Sequence, residues 1–487
     1  MSSVIQKNGQ HFLYQQVVDL IQQMQNEGTL RAGDKLPSLR KLSSQLGVSI
    51  PTVKQAYIEL ERLGKVEAKP KSGYFLKSAS SELARPKRAS FVRRPVEVRC
   101  QTLIEESYQA VHLPNTLPLG IAHPVMACPP DKSLARIMRR VLAQAGDKAM
   151  AYGPMDGYLP LKRQLAQRYL EQGVAANHND IVITNGAQEA IAISLQCVAK
   201  AGDIIAVESP TYFGVLELIE TLGMLALEIP TCSDSGVCLD DLKQSLDEHD
   251  VKACIFSSLI NNPMGSCMPD TKREALVEIT ESRNIPLIED DVYGELHFND
   301  EKVLPMQVFS KKGLVITCSS FSKTAAPSYR VGWILSNQFE QKAKGFKRAL
   351  SCSSSLLNQW VLNEYVRSGD YDRNIKRLRR VLKRNKERMM CLIAAHFPVN
   401  TKMSNPQGGG VLWLELPTGC NATDLFHLAV EAGISITPGV LFSASGKYKR
   451  CARISYGLQW NKAVEDAVVK LGQLSHQLVA ERLEKVS

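Results

Sequence analysis

Residues 314–330 read LVITCSSFSKTAAPSYR, an apolar run that ends in serines and then presents Lys323. Runs of the same kind recur at DIVITNG, DIIAVES, KACIFSS and IPLIED, several of them separated by stretches compatible with helices. Short apolar strands alternating with helices predict a largely parallel α/β sheet. In such sheets ligands gather beyond the carboxyl ends of the strands, so the residues that follow each run are the ones to read for chemistry.

A single lysine is ordinarily a solvated charge. One that forms a Schiff base needs a pKa below the usual value of about 10.4, together with an electron-poor ring to attack and an anchor for that ring. The other strand ends supply groups of the required type. Thr184-Asn185-Gly186-Ala187-Gln188 leads from a strand into a helix, so the N–H groups of Gly186, Ala187 and Gln188 would face a phosphate, a weak signal when taken alone. Arg330, Ser320 and Ser322 could complete that cradle. Asp290 ends the run IPLIED and could keep a pyridine nitrogen protonated, with Asp291 as its rival for that role. Tyr293 and Asn262 could hydrogen-bond a ring oxygen, and Tyr212 could stack on a ring face.

Charge separates the chain into two parts. Residues 1–99 hold 17 Lys and Arg against 8 Asp and Glu, a net +9, whereas the whole chain carries +10. A basic N-terminal fifth on a nearly neutral body predicts a polyanion-binding module. Val17, Leu20, Ile21 and Met24 mark one amphipathic helix, and Leu39, Leu42 and Leu46 a second, entered through Pro37-Ser38. After a turn at Gly47, Ser49 can cap a third helix with Val53, Ala56, Tyr57 and Leu60 on its apolar face, leaving Thr52, Lys54 and Gln55 outside it. Lys65–Ala68 and Tyr74–Leu76 are strand candidates joined by the basic turn Lys69-Pro70-Lys71-Ser72-Gly73. A helix-turn-helix with a β-wing is the expected result. The stretch Ser78–Pro95, rich in serine, proline and arginine, reads as a linker that is either solvated or leans on DNA backbone.

The twelve cysteines form no C-x-x-C pair, and His123 and His178 show no ligand spacing, so neither a metal site nor a disulfide framework is expected. No apolar stretch approaches the roughly 20 residues of a membrane span, and the first residues lack a signal-peptide core, which predicts a cytoplasmic protein without membrane partners.

LPSLR, LGVSIPTV and SGYFL resemble the GntR-type winged helix over roughly residues 11–77. The resemblance implies that Arg40, Thr52 and Lys54 touch phosphates or bases and that Lys71, Ser72 and Gly73 enter the minor groove. Ile50 departs from the arginine often found there, so the operator sequence does not carry over.

The body is similar to class I aminotransferases, whose Y-G-x-x-x-G, N-G-A-Q, P-T-Y, N-P-x-G, E-D-D-x-Y, S-F-S-K-T-x-A-P-x-x-R and R-[IF]-S motifs occur here in order. The cofactor so implied is pyridoxal 5′-phosphate, with Lys323 as its Schiff-base lysine. The resemblance gives Asp290 the pyridine nitrogen, Asn262 and Tyr293 the ring oxygen, and Tyr212 the stacking face. It gives the phosphate to Gly186, Ala187, Gln188, Ser320, Ser322 and Arg330, with Tyr152 reaching the phosphate of a neighbouring subunit. Arg453, which alone would read as a surface charge, matches the arginine that binds a substrate carboxylate, and Gly120 matches a substrate-side turn. Met264, where threonine is usual, leaves side-chain preference open.

The two parts together resemble the MocR family of bacterial transcription regulators. That resemblance implies a winged helix-turn-helix at 1–78, a linker at 79–115, and a fold-type I body at 116–487 whose small α+β subdomain spans about 390–487. It also implies a head-to-tail homodimer, duplex DNA as partner, and an amino compound, or the cofactor itself, acting at Lys323 to change DNA binding. A genuine aminotransferase with an appended DNA-binding domain is the alternative.

Overall fold

Capping residues set both ends of the second helix of the N-terminal module and the start of the third. The computed structural model describes residues 12–26, 29–30, 33–62, 65–69, 72–76, 83–98, 101–130, 132–299 and 303–486. Helix α1 (Leu13–Asn26) is followed by α2 (Leu39–Leu46), whose Ser38 cap accepts the Lys41 N–H at 3.3 Å, and Gly47 ends α2 at φ 65. Ser49 then accepts the Thr52 N–H at 3.2 Å to open α3 (Ile50–Arg62). Val53, Ala56, Tyr57 and Leu60 are all buried, the stripe read from sequence. On α1 the buried face is Val17, Val18 and Ile21, with Leu20 and Met24 half-buried, a small rotation from the expected stripe. Strands β1 (Val66–Lys69) and β2 (Gly73–Leu76) pair antiparallel from Val66↔Leu76 to Lys69↔Gly73. The Tyr57 hydroxyl donates to the Pro37 carbonyl at 2.8 Å, and its ring meets Tyr74 edge-on, tying α3 to both the α2 entry and the wing.

By internal contacts the chain divides into two units, residues 1–83 with 384–397, and residues 84–383 with 398–487. The second opens with α4 (Gln101–His112), β3 (Leu117–Pro118), α5 (Ser133–Ala145) and α6 (Leu159–Glu171). Its large sheet comprises β4 (Ile181–Thr184), β5 (Ile204–Ser209), β6 (Leu225–Cys232), β7 (Gly236–Val237), β8 (Val251–Phe256), β9 (Leu287–Asp290), β10 (Val315–Ser320) and β11 (Gly332–Leu335), with α7 (Ala187–Val198) between β4 and β5. The order is β4-β11-β10-β9-β8-β5-β6-β7, parallel from β10 through β6, with β11 and β7 antiparallel to their neighbours.

The sheet is buried on both faces because successive residues feed different cores. Val207, Ile255, Ile288 and Ile316 enter one cluster, and their neighbours Ala206, Cys254, Leu287 and Val315 enter the other. A smaller sheet follows from β12 (Lys402–Met403), β13 (Val411–Glu415), β15 (Thr437–Pro438) and β16 (Cys451–Ser455), while β14 (Ile434–Ser435) pairs with β3.

Two observations alter the reading of the linker. Its arginines bind the body: Arg85 to Asp234 at 2.5 Å, Arg88 to Asp241 at 2.9 Å and Arg93 to Asp241 at 2.5 Å. Arg93 and Asp241 are both largely shielded from water, so this pair is neither a solvated charge nor a DNA contact. Farther on, α4 lies inside the 79–115 stretch and buries Ile104 against Phe213, Met264 and Trp413.

Candidate functional site

The carboxyl ends of β4, β9 and β10 open into a cavity of about 320 Å³ in the body. Lys323 lies in the turn after β10, and its Nζ donates to the Ala122 carbonyl at 2.8 Å. Burial, reinforced by the positive charges of Arg453 and Arg330 and opposed by Asp290, pulls its pKa down to about 8. The lowered value that a nucleophilic lysine requires is therefore built into the fold. The Tyr293 hydroxyl reaches the same Ala122 carbonyl at 3.4 Å.

Asp290 ends β9 and lines the cavity. Burial pushes its pKa up to about 7 against the pull of the Val292 N–H and of Lys323, and its Oδ1 has no hydrogen-bond partner. Asp291, its rival in sequence, lines separate hollows beside Arg168 and Glu295 instead. Consecutive residues at a strand end point to opposite faces, and that geometry separates the two.

Opposite them, Arg453 on β16 is buried and donates to Asn262 Oδ1 at 3.1 Å, to the Gly120 carbonyl at 2.6 Å and to Thr437 Oγ1 at 3.1 Å. Phe442 and Phe213 stand 5.1 and 5.8 Å from its guanidinium, its Nε has no partner, and no carboxylate pairs with it among the described residues. A buried guanidinium faced only by neutral acceptors retains the capacity for an anion. Gly120 has no room for a side chain, because a Cβ there would sit 3.0 Å from the Ile436 backbone.

At the far end of the cavity Gly186, at φ 89, starts α7. A Cβ on Gly186 would collide with the Arg330 guanidinium, which donates to the Asn185 carbonyl at 2.8 Å and to Ser322 Oγ at 3.5 Å. Ser320 Oγ accepts the Ser322 N–H at 3.3 Å, and Ala187 and Gln188 line the wall. Free N–H groups at a helix start beside an arginine make an anion cradle. Tyr212 also lines the cavity and is hydrogen-bonded to Tyr108.

Of the body residues to which the aminotransferase resemblance gives a cofactor or substrate role, all but two line this cavity. Gly186 stands just behind the Arg330 side of the wall, and Tyr152 is 88% exposed and lies away from it. Sequence reasoning missed Ser107, Tyr108, Val111 and His112 of α4, as well as Ala122, His123 and Thr437. Burial, together with Lys323 and Arg453, lowers the His123 pKa to about 4, so this imidazole is neutral at pH 7. Its one legible signal is its place three residues after Gly120.

On the N-terminal module Arg40 and Lys54 are exposed, while Thr52 is half-buried and shares a 2.8 Å hydrogen bond with Ser49. Ser72 and Gly73 are exposed at the wing, with Gly73 at φ 103. Lys71 lies outside the described residues. Among the described residues no His, Cys, Asp and Glu cluster could hold a metal ion, and no helix is long and apolar enough to cross a membrane.

Residues 124–470 match the family described as aminotransferase class I and II. The chain belongs to that family. Residues 13–76 match the bacterial regulatory proteins of the gntR family, so a GntR module precedes the aminotransferase body, the MocR-type arrangement. The HTH-type transcriptional regulator YjiR of Escherichia coli is 33% identical over 94% of this chain and 98% of its own length. YdcR, of the same organism and the same description, is 35% identical over 95% of this chain and 98% of its own. Among solved structures, LysN, an alpha-aminoadipate aminotransferase of Thermus thermophilus complexed with N-(5′-phosphopyridoxyl)-L-leucine, is 25% identical. It covers 79% of this aminotransferase-family chain and 96% of its own, with a TM-score of 0.73.

Proposed function

We propose that this chain is a transcription regulator that binds duplex DNA through its GntR module and holds pyridoxal 5′-phosphate at Lys323, where a small amino compound acts as the signal. The observation that carries the reading is the joining of a GntR module to a cavity in which Lys323, Asp290 and Arg453 converge, none of them held in an ion pair among the described residues.

The residues present fit the cofactor. The unpartnered Asp290 Oδ1 suits a protonated ring nitrogen, and the space beside Gly186 and Arg330 suits a phosphate. Gly186, Ala187, Gln188, Ser320, Ser322 and Arg330 would bind that phosphate, Tyr212 would pack on the ring face, and Asn262 and Tyr293 would hydrogen-bond the ring oxygen. Bound pyridoxal 5′-phosphate supplies an electron-poor ring and a carbonyl carbon at which one amine replaces another. Lys323 offers the displaceable amine, Arg453 orients an incoming carboxylate, and the apolar walls exclude water. Such a ligand changes DNA binding to the extent that its affinity differs between the DNA-binding states, and the cofactor itself obeys the same rule. We further propose a cytoplasmic head-to-tail homodimer, with the exposed Tyr152 reaching the phosphate of the partner's cofactor.

The completeness of the cavity, including the carboxylate-free surroundings of Arg453, also favours a second reading, a true aminotransferase. The test is a screen of amines and amino acids for changes in the visible absorbance of the loaded protein, followed by a DNA footprint with each hit. Lys323→Ala should abolish both the absorbance and the ligand-dependent footprint while leaving basal DNA affinity in place. An equal ligand response in Lys323→Ala refutes the regulator reading, and steady turnover at about 1 to 1000 per second establishes the aminotransferase.

A further inference from the structure

The helix Asp370–His396 carries Arg373, Lys376, Arg377 and Arg380, spaced i, i+3, i+4 and i+7, along one side. Across from it, Lys132 and the α5 residues Arg136 and Arg139 repeat the spacing i, i+4, i+7. The two stripes wall a groove of about 900 Å³ whose only carboxylate among the described lining residues is Asp370. Asp370 is engaged by Arg373 at 2.5 Å, with Arg136 at 3.8 Å, and most of the cationic tips remain exposed.

This concentration is not a general basicity of the body, since residues 100–487 hold 42 Lys and Arg against 41 Asp and Glu. Nor does it help the helices to form, because like charges at i, i+4 destabilise them by some tenths of a kcal/mol per pair. A row of guanidinium and ammonium groups on each wall of one groove matches a polyanion with regularly spaced charges.

We infer that this groove is a second nucleic-acid surface, separate from the Lys323 cavity, which holds the phosphate backbone of duplex DNA outside the bases read by the N-terminal module. The inference rests on the DNA-binding reading above. Once that module engages DNA, the tethered body meets the same duplex at high effective concentration, so individually weak phosphate contacts become significant.

The experiment measures affinity of the full-length protein for a mixed-sequence duplex several helical turns long, across a potassium chloride series. Each lost phosphate contact reduces the slope of log K against log salt by about 0.9, so Arg136→Glu/Arg373→Glu/Arg380→Glu should flatten it by about 3. Arg136→Lys/Arg373→Lys/Arg380→Lys should keep the wild-type slope. Lys200→Glu/Lys252→Glu/Arg348→Glu, three charge reversals outside the groove, should alter it far less, and cofactor absorbance reports folding throughout. An unchanged slope in the groove reversal, or an equal change in the reversal outside it, overturns the inference. Loss of slope in the lysine variant also overturns it, since charge would then not be the cause. Arg40→Ala/Lys54→Ala tests the N-terminal module separately: unchanged affinity there defeats the DNA-binding reading, whereas the groove stands or falls on its own three variants.

Discussion

Lys323 is held near neutrality by burial and by two arginines, and this fixes how its chemistry answers to pH. Only the unprotonated amine attacks a carbonyl, so the rate of cofactor attachment should climb with pH to a midpoint at about 8 and then level off. A solvated lysine would keep climbing toward about 10.4. Stopped-flow absorbance at a series of pH values distinguishes the two profiles. For Arg453 the prediction concerns selectivity. Arg453→Met should weaken amino-acid binding about 10- to 100-fold, the worth of hydrogen bonds to a charged group, and should change binding of amines without a carboxylate much less. Spectral titrations of both ligand types on the same variant give the ratio, and an equal loss for both removes the carboxylate role.

Among the elements, the turn from β4 into α7 has the least tolerance for substitution. Gly186→Ala adds a methyl group that meets Arg330 at φ 89, so cofactor affinity should fall at least tenfold by equilibrium titration. Gly47→Ala also forces a positive φ but meets nothing within 4 Å, so it should cost about 1 kcal/mol of stability and leave cofactor affinity unchanged. Strands such as β10 were legible because alternate residues enter two apolar cores, which leaves an uninterrupted hydrophobic run with its chemistry displayed just beyond. Helix α4 was not legible. Its buried face is Ile104, Ser107 and Ala110, a stripe too small and too polar to stand out after an arginine-rich stretch. The cavity-lining residues Tyr108 and His112 were missed with it. His123 and Thr437 were hidden for a different reason, since only the folded chain brings the start of the body against its C-terminal strands.

For the whole molecule, the division into a basic reader and a nearly neutral body is plain from the distribution of charge along the chain. The fate of the linker arginines is not, because their partners Asp234 and Asp241 lie some 150 residues away in sequence, as in the Arg93 to Asp241 pair, 148 residues apart. The proposed dimer gives Tyr152 a test at this scale. Tyr152→Ala and Lys323→Ala chains should each load cofactor poorly, the first for want of a partner's hydroxyl and the second for want of its own amine. Co-refolded heterodimers should regain one site with both groups intact, so the absorbance of the mixture should exceed the mean of the separate variants. No recovery on mixing would rule out a shared site.

The order of the large sheet has one more consequence. β4 is its outermost strand on one side and pairs only with β11, while Gly186 follows β4 and Arg330 precedes β11. A phosphate gripped by both clasps the margin of the sheet, where native proteins open first. Binding energy is then added to the resistance of that margin to unfolding. If the proposed cofactor binds there, its loss should leave the chain easier to unfold and to cleave, so that cofactor supply would set how many copies survive.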